Sequence, residues 1–261
     1  TSASYSYIVN VTAYNGTNAI STSVTITVKV TTAPVWSDEF DLNGAPNSSR
    51  WGYDIGTGSG GWGNNEAQYY TNRSDNVKVE NGFLKIITKK EDFQGSKYTS
   101  ARLKTQGKFS IKYGKIEIRA KLPAGRGTWP ALWMLGDNIG TAGWPACGEI
   151  DIMEHTGNNL NKVLGTLHYP GRSGGNADSS SKTISNATTE FHIYSIDWRA
   201  DSIKFYIDNQ LFKNFTNTSS LPFNQNFFLI MNCAMGGNLG GAIDPNFSST
   251  TFEIDYVRVY N

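Results

Sequence analysis

The sequence lacks the features that mark membrane proteins and nucleic-acid-binding proteins. It has no apolar run near the ~18 residues that span a bilayer, and no basic segment followed by an apolar one that would mark a signal peptide. Neither charge sign is in excess, since 23 basic and 22 acidic residues leave a net charge of +1. We therefore expect no membrane or nucleic acid as a partner, and this balance also disfavours a strongly anionic polysaccharide.

Cysteine and histidine are also scarce. The two cysteines, Cys147 and Cys233, are far apart and form no CxxC pair, so we expect two buried thiols rather than a disulfide. The three histidines, His155, His168 and His192, show no metal-ligand spacing. These counts argue against a zinc site.

The first 34 residues differ from the rest of the chain. Residues 5–30 contain two alternating runs around Asn15-Gly16, a dipeptide typical of a two-residue hairpin turn. Because about thirty residues are too few for an independent core, we interpret residues 1–34 as the last hairpin of a preceding immunoglobulin-like module, similar to the end of a PKD-type domain, plus the linker 31–34. The chain starts at Thr1 without Met, and we expect a mature or excised part of a longer protein.

Residues 35–261 have the pattern of a single all-β domain. No segment keeps a helical period of 3.6 residues over three turns, whereas short alternating runs recur between turn signals. Asn81-Gly82 and Asp208-Asn209 predict tight hairpin turns inside two of these runs. We therefore predict a sandwich or barrel of antiparallel strands. The runs are 77–88, 108–122, 163–169, 191–198, 202–213, 226–233 and 252–260.

Aromatic residues and glycine are abundant, with 7 Trp, 13 Tyr, 13 Phe and 27 Gly. Most Phe residues are expected in the core. Four of the tryptophans instead lie in Gly/Pro-rich segments outside the alternating runs: Trp62, Trp129, Trp133 and Trp144. Exposed Trp in a protein of balanced charge suits stacking on the apolar faces of sugar rings.

The stretch GEIDIMEH, residues 148–155, places three carboxylates in an otherwise apolar run that contains no Lys or Arg. Buried charges are costly unless they are paired or bind a metal. In a regular strand Glu149 and Asp151 share a face, and Glu154 points to the other face. One extra residue around Ile152-Met153, a β-bulge, returns Glu154 to the face of the other two. We therefore predict a bulged strand with three carboxylates on one face.

Carboxylates arranged in this way fit glycosidic bond hydrolysis. The bulge leaves Glu149 and Glu154 roughly 13 Å apart along the backbone at ~3.3 Å per residue, and a concave sheet tilts their side chains towards the ~5–5.5 Å spacing of retaining glycosidases. One carboxylate would attack the anomeric carbon, and the other would protonate the leaving oxygen and later activate water. Asp151 between them would orient the nucleophile and raise the pKa of the acid by repulsion. The alternatives are a calcium cage, which needs a turning loop, and an exposed polar strand face.

Further segments accompany this strand and together carry a family resemblance. They are WSDEF (36–40), GWGNNEAQYYT (61–71), SARLKT (100–105), GKIEIRAKLP (114–123), GTWPALWML (127–135), HIYSIDW (192–198) and IDYVRVY (254–260). With the Glu-x-Asp-x-x-Glu strand, residues 35–261 resemble glycoside hydrolase family 16. The resemblance implies a β-jelly roll, in which two curved antiparallel sheets form a concave substrate cleft.

The resemblance also assigns roles to the carboxylates. Glu149 would be the nucleophile, Glu154 the acid/base, and Asp151 the helper between them. The bulged motif is similar to that of laminarinases, agarases and carrageenases, whereas lichenase-like members have the shorter Glu-x-Asp-x-Glu. GWGNNEAQYYT and GTWPALWML resemble the β-1,3-glucanase branch. This implies retaining endo-hydrolysis of a β-1,3-glucan such as laminarin by a secreted monomer.

Seven residues are predicted to bind the sugar. Trp129 and Trp133 would form an apolar wall at the cleavage point, with core packing as their alternative role. Arg102 matches a family position that hydrogen-bonds sugar hydroxyls, or is a surface charge, and His168 either faces the cleft or is a core histidine. The full set is Trp129, Trp133, Trp144, Asn64, Arg102, His168 and Asn232, with Trp62 and Glu66 as weaker candidates.

No cofactor is expected for catalysis, but the family often binds one structural calcium ion on the convex face. The matching positions are Glu39, Gly82 and Asp255, partly through backbone carbonyls. Two alternatives for the whole protein stay open: the same mechanism on another β-linked polysaccharide such as agarose, carrageenan or mixed-linkage glucan, and a non-catalytic carbohydrate-binding jelly roll. The Gly/Ser-rich stretch 171–181 is predicted to be a mobile loop.

Overall fold

The computed structural model describes residues 3–30 and 33–261, which are built almost entirely from β-strands and turns. The strands are β1 (Ala3–Asn15), β2 (Asn18–Val30), β3 (Trp36–Asp38), β4 (Gly52–Tyr53), β5 (Gln68–Tyr70), β6 (Val77–Glu80), β7 (Phe83–Phe93), β8 (Ser96–Ser100), β9 (Arg102–Lys104), β10 (Gly114–Lys121), β11 (Thr128–Gly136), β12 (Glu149–Thr156), β13 (Asn159–His168), β14 (Asp178–Thr183), β15 (His192–Trp198), β16 (Ser202–Ile207), β17 (Gln210–Thr216), β18 (Phe227–Met235) and β19 (Ser249–Tyr260).

Helical segments are short. They are α1 (Ile139–Ala142), α2 (Gly237–Gly240) and two helical turns, Gly61–Asn65 and Gly174–Asn176. Within the described ranges, no helix has the length and apolar character needed to cross a membrane. The all-β prediction is confirmed.

Two large sheets pack face to face. The larger has ten strands in the order β17-β16-β15-β10-β19-β7-β8-β5, with β3 beside β19 and β6 beside β7. The smaller has seven strands in the order β14-β13-β12-β11-β18-β9-β4. Their pairings are antiparallel except for the parallel pair β5 and β8. Strand β12, which carries the three carboxylates, is third from one edge of the seven-stranded sheet.

The core lies between these sheets and follows the two-residue period of the strands. Ile116 and Ile118 of β10 and Leu132 and Met134 of β11 are fully buried in one apolar cluster. Alternate residues of β11 therefore face the opposite, concave side of the seven-stranded sheet. A half-buried sheet of this kind positions polar side chains on a surface that the core holds rigid.

Strands β1 and β2 form a separate two-stranded sheet, in register from Ala3 opposite Val30 to Asn15 opposite Asn18. Gly16 at its turn has a φ of +65°, as the Asn-Gly signal predicts. The interpretation of residues 1–34 as the end of an immunoglobulin-like module stays a prediction. Thr31 and Thr32 of the predicted linker lie outside the described residues.

Two predicted hairpin turns are present. Asn81 and Gly82 join β6 to β7 with φ of +57° and +80°, and Asp208 and Asn209 join β16 to β17 with φ of +50° and +62°. The predicted run 108–122 is shorter than expected, since β10 begins only at Gly114. A Cβ on Gly114 would lie 2.4 Å from the Tyr260 carbonyl oxygen, so the chain needs glycine where it enters the strand.

Cys147 and Cys233 are both buried and free, as predicted. Burial raises the pKa of the Cys147 thiol to about 11 and that of Cys233 to about 12. Both are therefore protonated at neutral pH and unreactive.

Candidate active site

The predicted bulge in β12 is present and brings the three carboxylates to one face. The pairing of β12 with β13 shifts between Asp151 and Glu154, and Ile152 and Met153 are both buried in the core, 1% and 0% exposed. Two consecutive side chains thus point inward, and the alternation resumes at Glu154. The residues of β11 opposite Glu149, Asp151 and Glu154 are two positions apart: Leu135, Trp133 and Ala131.

The carboxylates lie in a cleft of about 640 Å³ on the concave face of the seven-stranded sheet. Residues from six neighbouring strands line it, from Ser179 on β14 to Arg102 on β9. All seven predicted sugar-binding residues line this cleft, as do the weaker candidates Trp62 and Glu66. His155, next to Glu154, is fully buried instead.

Indole N–H groups hold both glutamates. Trp144 Nε1 donates to Glu149 Oε2 at 2.8 Å, and Trp129 Nε1 donates to Glu154 Oε1 at 3.1 Å. The Thr166 hydroxyl donates to the other oxygen of Glu154 at 3.1 Å. Each side chain is therefore fixed in direction by donors that favour its charged form.

His168 lies beside the carboxylates and is also fixed by a hydrogen bond. Its Nδ1 accepts the backbone N–H of Gly174 at 3.1 Å, so the proton of the neutral ring lies on Nε2. Nε2 is 3.1 Å from Asp151 Oδ2 and 3.8 Å from Glu149 Oε1. His168 Nε2 thus lies beside Asp151 and Glu149, while Asp151 Oδ2 itself accepts no hydrogen bond from the described part of the chain.

Burial raises the pKa of all three carboxyls. For Glu149 the charge of Asp151 adds to burial, and His168 opposes it. For Asp151 the charge of Glu154 adds to burial. For Glu154 burial is opposed by the hydrogen bond of Thr166, by the nearby His168 and by the hydrogen bond of Trp129. Three negative charges at this spacing repel one another, so the ionisation of each carboxyl depends on the charge of the other two.

An aromatic wall continues from the carboxylates across β11, β18 and β9. The Arg102 guanidinium lies 4.6 Å from the ring centre of Trp62 and 4.8 Å from that of Trp133. Its Nε is 2.9 Å from Asp54 Oδ2, and Trp133 Nε1 donates to Asn232 Oδ1 at 2.7 Å. These contacts fix the Trp133 ring at the cleft, with Arg102 over the ring.

The polar groups of this wall are connected below its surface. Asn232 donates to the Tyr70 hydroxyl at 2.9 Å, which donates to Glu66 at 3.0 Å. Asn64 donates to the other Glu66 oxygen at 3.4 Å. The prediction named Asn64 and Asn232 separately, and the structure joins them through Glu66 and Tyr70.

Other residues of the cleft were missed from the sequence. Leu164 and Thr166 share a face of β13 with His168, so the alternation in VLGTLHY contained a signal for both. The turn at Gly174-Gly175 also lines the cleft, which shows that the stretch 171–181 forms part of its rim. The remaining missed lining residues are Gly63, Ala131, Leu135, Ile139, Ala177, Ser179, Asn238 and Leu239.

The predicted calcium ligands do not offer free carboxylates. Glu39 accepts hydrogen bonds from Arg258, the shortest 2.7 Å, and this pairing lowers the pKa of Glu39. Asp255 is paired with Arg119, and Gly82 lies in the β6–β7 turn. Calcium would have to open these ion pairs or bind backbone carbonyls alone, and calcium at these positions stays a prediction. Within the described ranges, ligand atoms close enough for one metal ion occur at Glu149, Asp151 and His168, within 4.8 Å of one another in the cleft.

Known proteins are similar to this chain in sequence and in fold. Residues 64–258 match Glycosyl hydrolases family 16. The Beta-glucanase of Rhodothermus marinus is 46% identical over 242 residues, covering 87% of this chain and 84% of that protein. The Glucan endo-1,3-beta-glucosidase A1 of Niallia circulans is 39% identical over 87% of this chain, which spans 37% of that longer protein. The crystal structure of the laminarinase from Rhodothermus marinus superposes with a TM-score of 0.83 at 46% identity, over 88% of this chain and 97% of the other.

Fold, carboxylates and relatives agree on the class of protein, an enzyme that hydrolyses glycosidic bonds. The chain belongs to Glycosyl hydrolases family 16, and its two packed sheets are the predicted jelly roll.

Proposed function

We propose that this enzyme cleaves β-1,3-glucans such as laminarin at internal bonds, with retention of anomeric configuration. The observation that carries the proposal is the bulged strand β12, which aligns Glu149, Asp151 and Glu154 on the floor of the cleft. The names of the similar enzymes support a β-1,3-glucan as the substrate.

The extent of the cleft supports attack at internal bonds. Six adjacent strands contribute to its lining, and strands lie ~4.8 Å apart. The lined surface is therefore roughly 24 Å wide, which accommodates several sugar units on both sides of the carboxylates. An enzyme that removes only terminal units would not need binding residues on both sides.

In the proposed reaction Glu149 attacks the anomeric carbon while Glu154 donates its proton to the departing glycosidic oxygen. The resulting glycosyl ester on Glu149 is hydrolysed by water, from which Glu154 takes a proton. The second displacement frees Glu149 and restores the original configuration. Both carboxylates return to their initial protonation states, so no other reactant is needed.

Burial fits the acid role of Glu154, whereas Glu149 can act as an ionised nucleophile only when a charge beside it is removed, because its pKa is also raised. Burial raises the pKa of Glu154 and so favours the protonated acid that the first step requires. A proton held on Asp151 removes one of the charges that repel Glu149, and the Trp144 N–H favours the ionised nucleophile. Asp151 thus acts indirectly, because its own protonation state controls how readily Glu149 ionises.

Sugar binding is proposed for the aromatic wall. Trp133 and Trp129 offer ring faces beside the carboxylates, and Trp144, 48% exposed, lies on the other side of Glu149. Arg102, Asn64, Asn232 and His168 supply hydrogen-bonding groups for hydroxyls. Fixed rings of this kind bind sugar with little loss of conformational freedom.

Three further proposals concern the setting of the enzyme. It acts outside the cell, because a polysaccharide substrate is too large to enter. It acts as a monomer, because one chain supplies residues along the whole cleft. Any calcium ion is bound through the carbonyl oxygens at Glu39, Gly82 and Asp255 and has no part in the reaction.

The test is an early-time proton NMR spectrum of laminarin digests, with agarose and κ-carrageenan digests alongside. β-Anomeric oligosaccharides appearing first from laminarin are expected. α-Anomers first would contradict the two-step mechanism, and cleavage of a galactan alone would replace the substrate. Binding without cleavage of any polysaccharide would identify a carbohydrate-binding protein.

A further inference from the structure

A buried lysine lies on the sheet opposite the carboxylates. Lys213 is 4% exposed, although it belongs to the edge strand β17, in which no other residue is buried. A lysine is rarely enclosed in this way unless its charge is paired. The burial of Lys213 therefore calls for an explanation beyond packing.

The partner of Lys213 is Asp178, the first residue of β14. The Lys213 ammonium donates to the Asp178 carboxylate at 2.7 Å and also to the backbone carbonyl of Asp178. Burial lowers the pKa of Lys213, and the hydrogen bond and charge of Asp178 oppose this. The pair joins β17, an edge of the ten-stranded sheet, to β14, an edge of the seven-stranded sheet.

The two sheet edges approach closely at this point. A Cβ on Gly165 of β13 would lie 2.9 Å from side-chain atoms of both Phe205 and Phe212. The ammonium of Lys213 is 5.5 Å from the Phe205 ring centre. The Lys213 ammonium is thus enclosed by packed side chains, and the Asp178 side chain, 30% exposed, closes its open side with a charge-assisted bond of fixed geometry.

Strand β14 and the turn before it reach the catalytic carboxylates by two routes. Four residues before Asp178, Gly174 donates its N–H to His168, whose Nε2 faces Asp151. One residue after Asp178, the Ser179 hydroxyl is 3.0 Å from the Thr166 hydroxyl. Thr166 in turn donates to Glu154. Both routes begin within four residues of Asp178, which Lys213 anchors.

We propose that Lys213 is a positioning residue for catalysis: by anchoring Asp178 it holds the Gly174 amide on His168 and the Ser179 hydroxyl beside Thr166. This inference rests on the proposed function in that it assigns Asp151 and Glu154 to the reaction. Without the anchor, the glycine-rich turn would move away from His168, and the ring would lose its fixed tautomer.

The first test compares K213M, which keeps the length of the stem without the charge, with K213R, which keeps the charge. K213M is expected to lower kcat on laminarin about tenfold, as misplaced supporting groups do, and K213R is expected to restore most of it. K97M is the matched control, because Lys97 forms an ion pair with Asp92 in which both side chains are at least 75% exposed. Equal kcat in K213M and the wild type, or K213R as impaired as K213M, would overturn the proposal.

A second readout does not depend on the substrate. The chain has three histidines, so a long-range ¹H–¹⁵N NMR spectrum resolves their tautomers, and H168Q assigns the His168 signals. We expect His168 protonated on Nε2 in the wild type and a mixture of tautomers in K213M. An unchanged tautomer in K213M would overturn the positioning role. If the tautomer changes but the wild type does not cleave laminarin, the positioning role stands and the proposed function fails.

The double variant K213M/H168Q tests the route through His168. Because the two residues act in one chain of contacts, K213M should lower kcat less in the H168Q background than in the wild type. Full additivity of the two effects, with melting temperatures unchanged, would show that Lys213 does not act through His168.

Discussion

The two sides of the cleft are built on different principles. On one side, which we call the aromatic side, Trp62, Arg102, Trp133 and Asn232 present large groups braced by one another. On the other, the hydroxyl side, Thr166, His168 and Ser179 of β13 and β14 combine with the glycine-rich turn. Strand β12 with the carboxylates lies between them.

The difference separates binding from chemistry. Trp62 and Trp133 of the aromatic side present rings to a sugar, and Arg102 is the one charged residue among the four. On the hydroxyl side Thr166 donates to Glu154, while Ser179 and the Gly174 amide hold Thr166 and His168 in place. We therefore expect changes on the aromatic side to alter KM first, and changes on the hydroxyl side to alter kcat and its pH dependence.

The largest effect is expected for Glu149, which lies between the two sides. E149Q removes the nucleophile, and kcat on laminarin should fall by roughly 10⁴-fold or more. Because neither side of the cleft is altered, the affinity for laminari-oligosaccharides, measured by calorimetry, should stay within about threefold of the wild type. Substantial residual hydrolysis by E149Q would show that another group is the nucleophile.

The next effect is on the aromatic side. W133A removes a ring with an expected share of about 2 kcal/mol in binding, so KM for laminarin should rise about thirtyfold, and kcat should change little. W133F is the control, since it keeps one aromatic ring and loses the pyrrole part of the indole with the N–H bonded to Asn232. A fall in kcat at constant KM would remove the distinction between the two sides.

A smaller effect is expected on the hydroxyl side. T166V removes the donor to Glu154, and kcat should fall about fivefold, as for the loss of about 1 kcal/mol. The Thr166 hydrogen bond lowers the pKa of Glu154, so its loss raises that pKa. Because the acid must be protonated, activity is lost as pH rises through this pKa, and the basic limb of the pH–rate profile should move to higher pH.

T183V at the far end of β14 is the matched control for T166V, because Thr183 is exposed and outside the cleft. A basic limb that is unchanged in T166V, or that moves equally in T183V, would contradict the role assigned to the hydroxyl side.

The smallest effect is expected far from both sides. If calcium binds through the carbonyls at Glu39, Gly82 and Asp255, its removal by EDTA should lower the melting temperature by about 5 °C, as for roughly 2 kcal/mol of linked binding. The kcat should be unchanged. An identical melting temperature with and without calcium would contradict this proposal. Glu39 and Asp255 would then interact with Arg258 and Arg119 and not with a metal ion.

Local sequence signals predicted the parts of this structure that local rules govern. The two-residue period of a strand, with one extra residue for the bulge, was enough to predict that Glu149, Asp151 and Glu154 share a face. The dipeptide Asp208-Asn209 likewise predicted the turn between β16 and β17. Partners distant in the sequence were not visible in this way. The pairing of Glu39 with Arg258 joins residues 219 positions apart, and that of Lys213 with Asp178 joins two different sheets. Such contacts follow from the fold and not from any pattern along the chain.

The bulge in β12 has a consequence at the level of the gene. Ile152 and Met153 are consecutive and both point into the core. One of them is therefore the extra residue that interrupts the in–out alternation of the strand. Loss of one of these two codons would straighten the strand and keep all three acids above the same surface. Loss of a codon between Glu149 and Asp151 would instead place those two acids on opposite faces. A one-residue deletion at Ile152 or Met153 therefore keeps the three acids on one face, whereas a deletion at Ile150 does not.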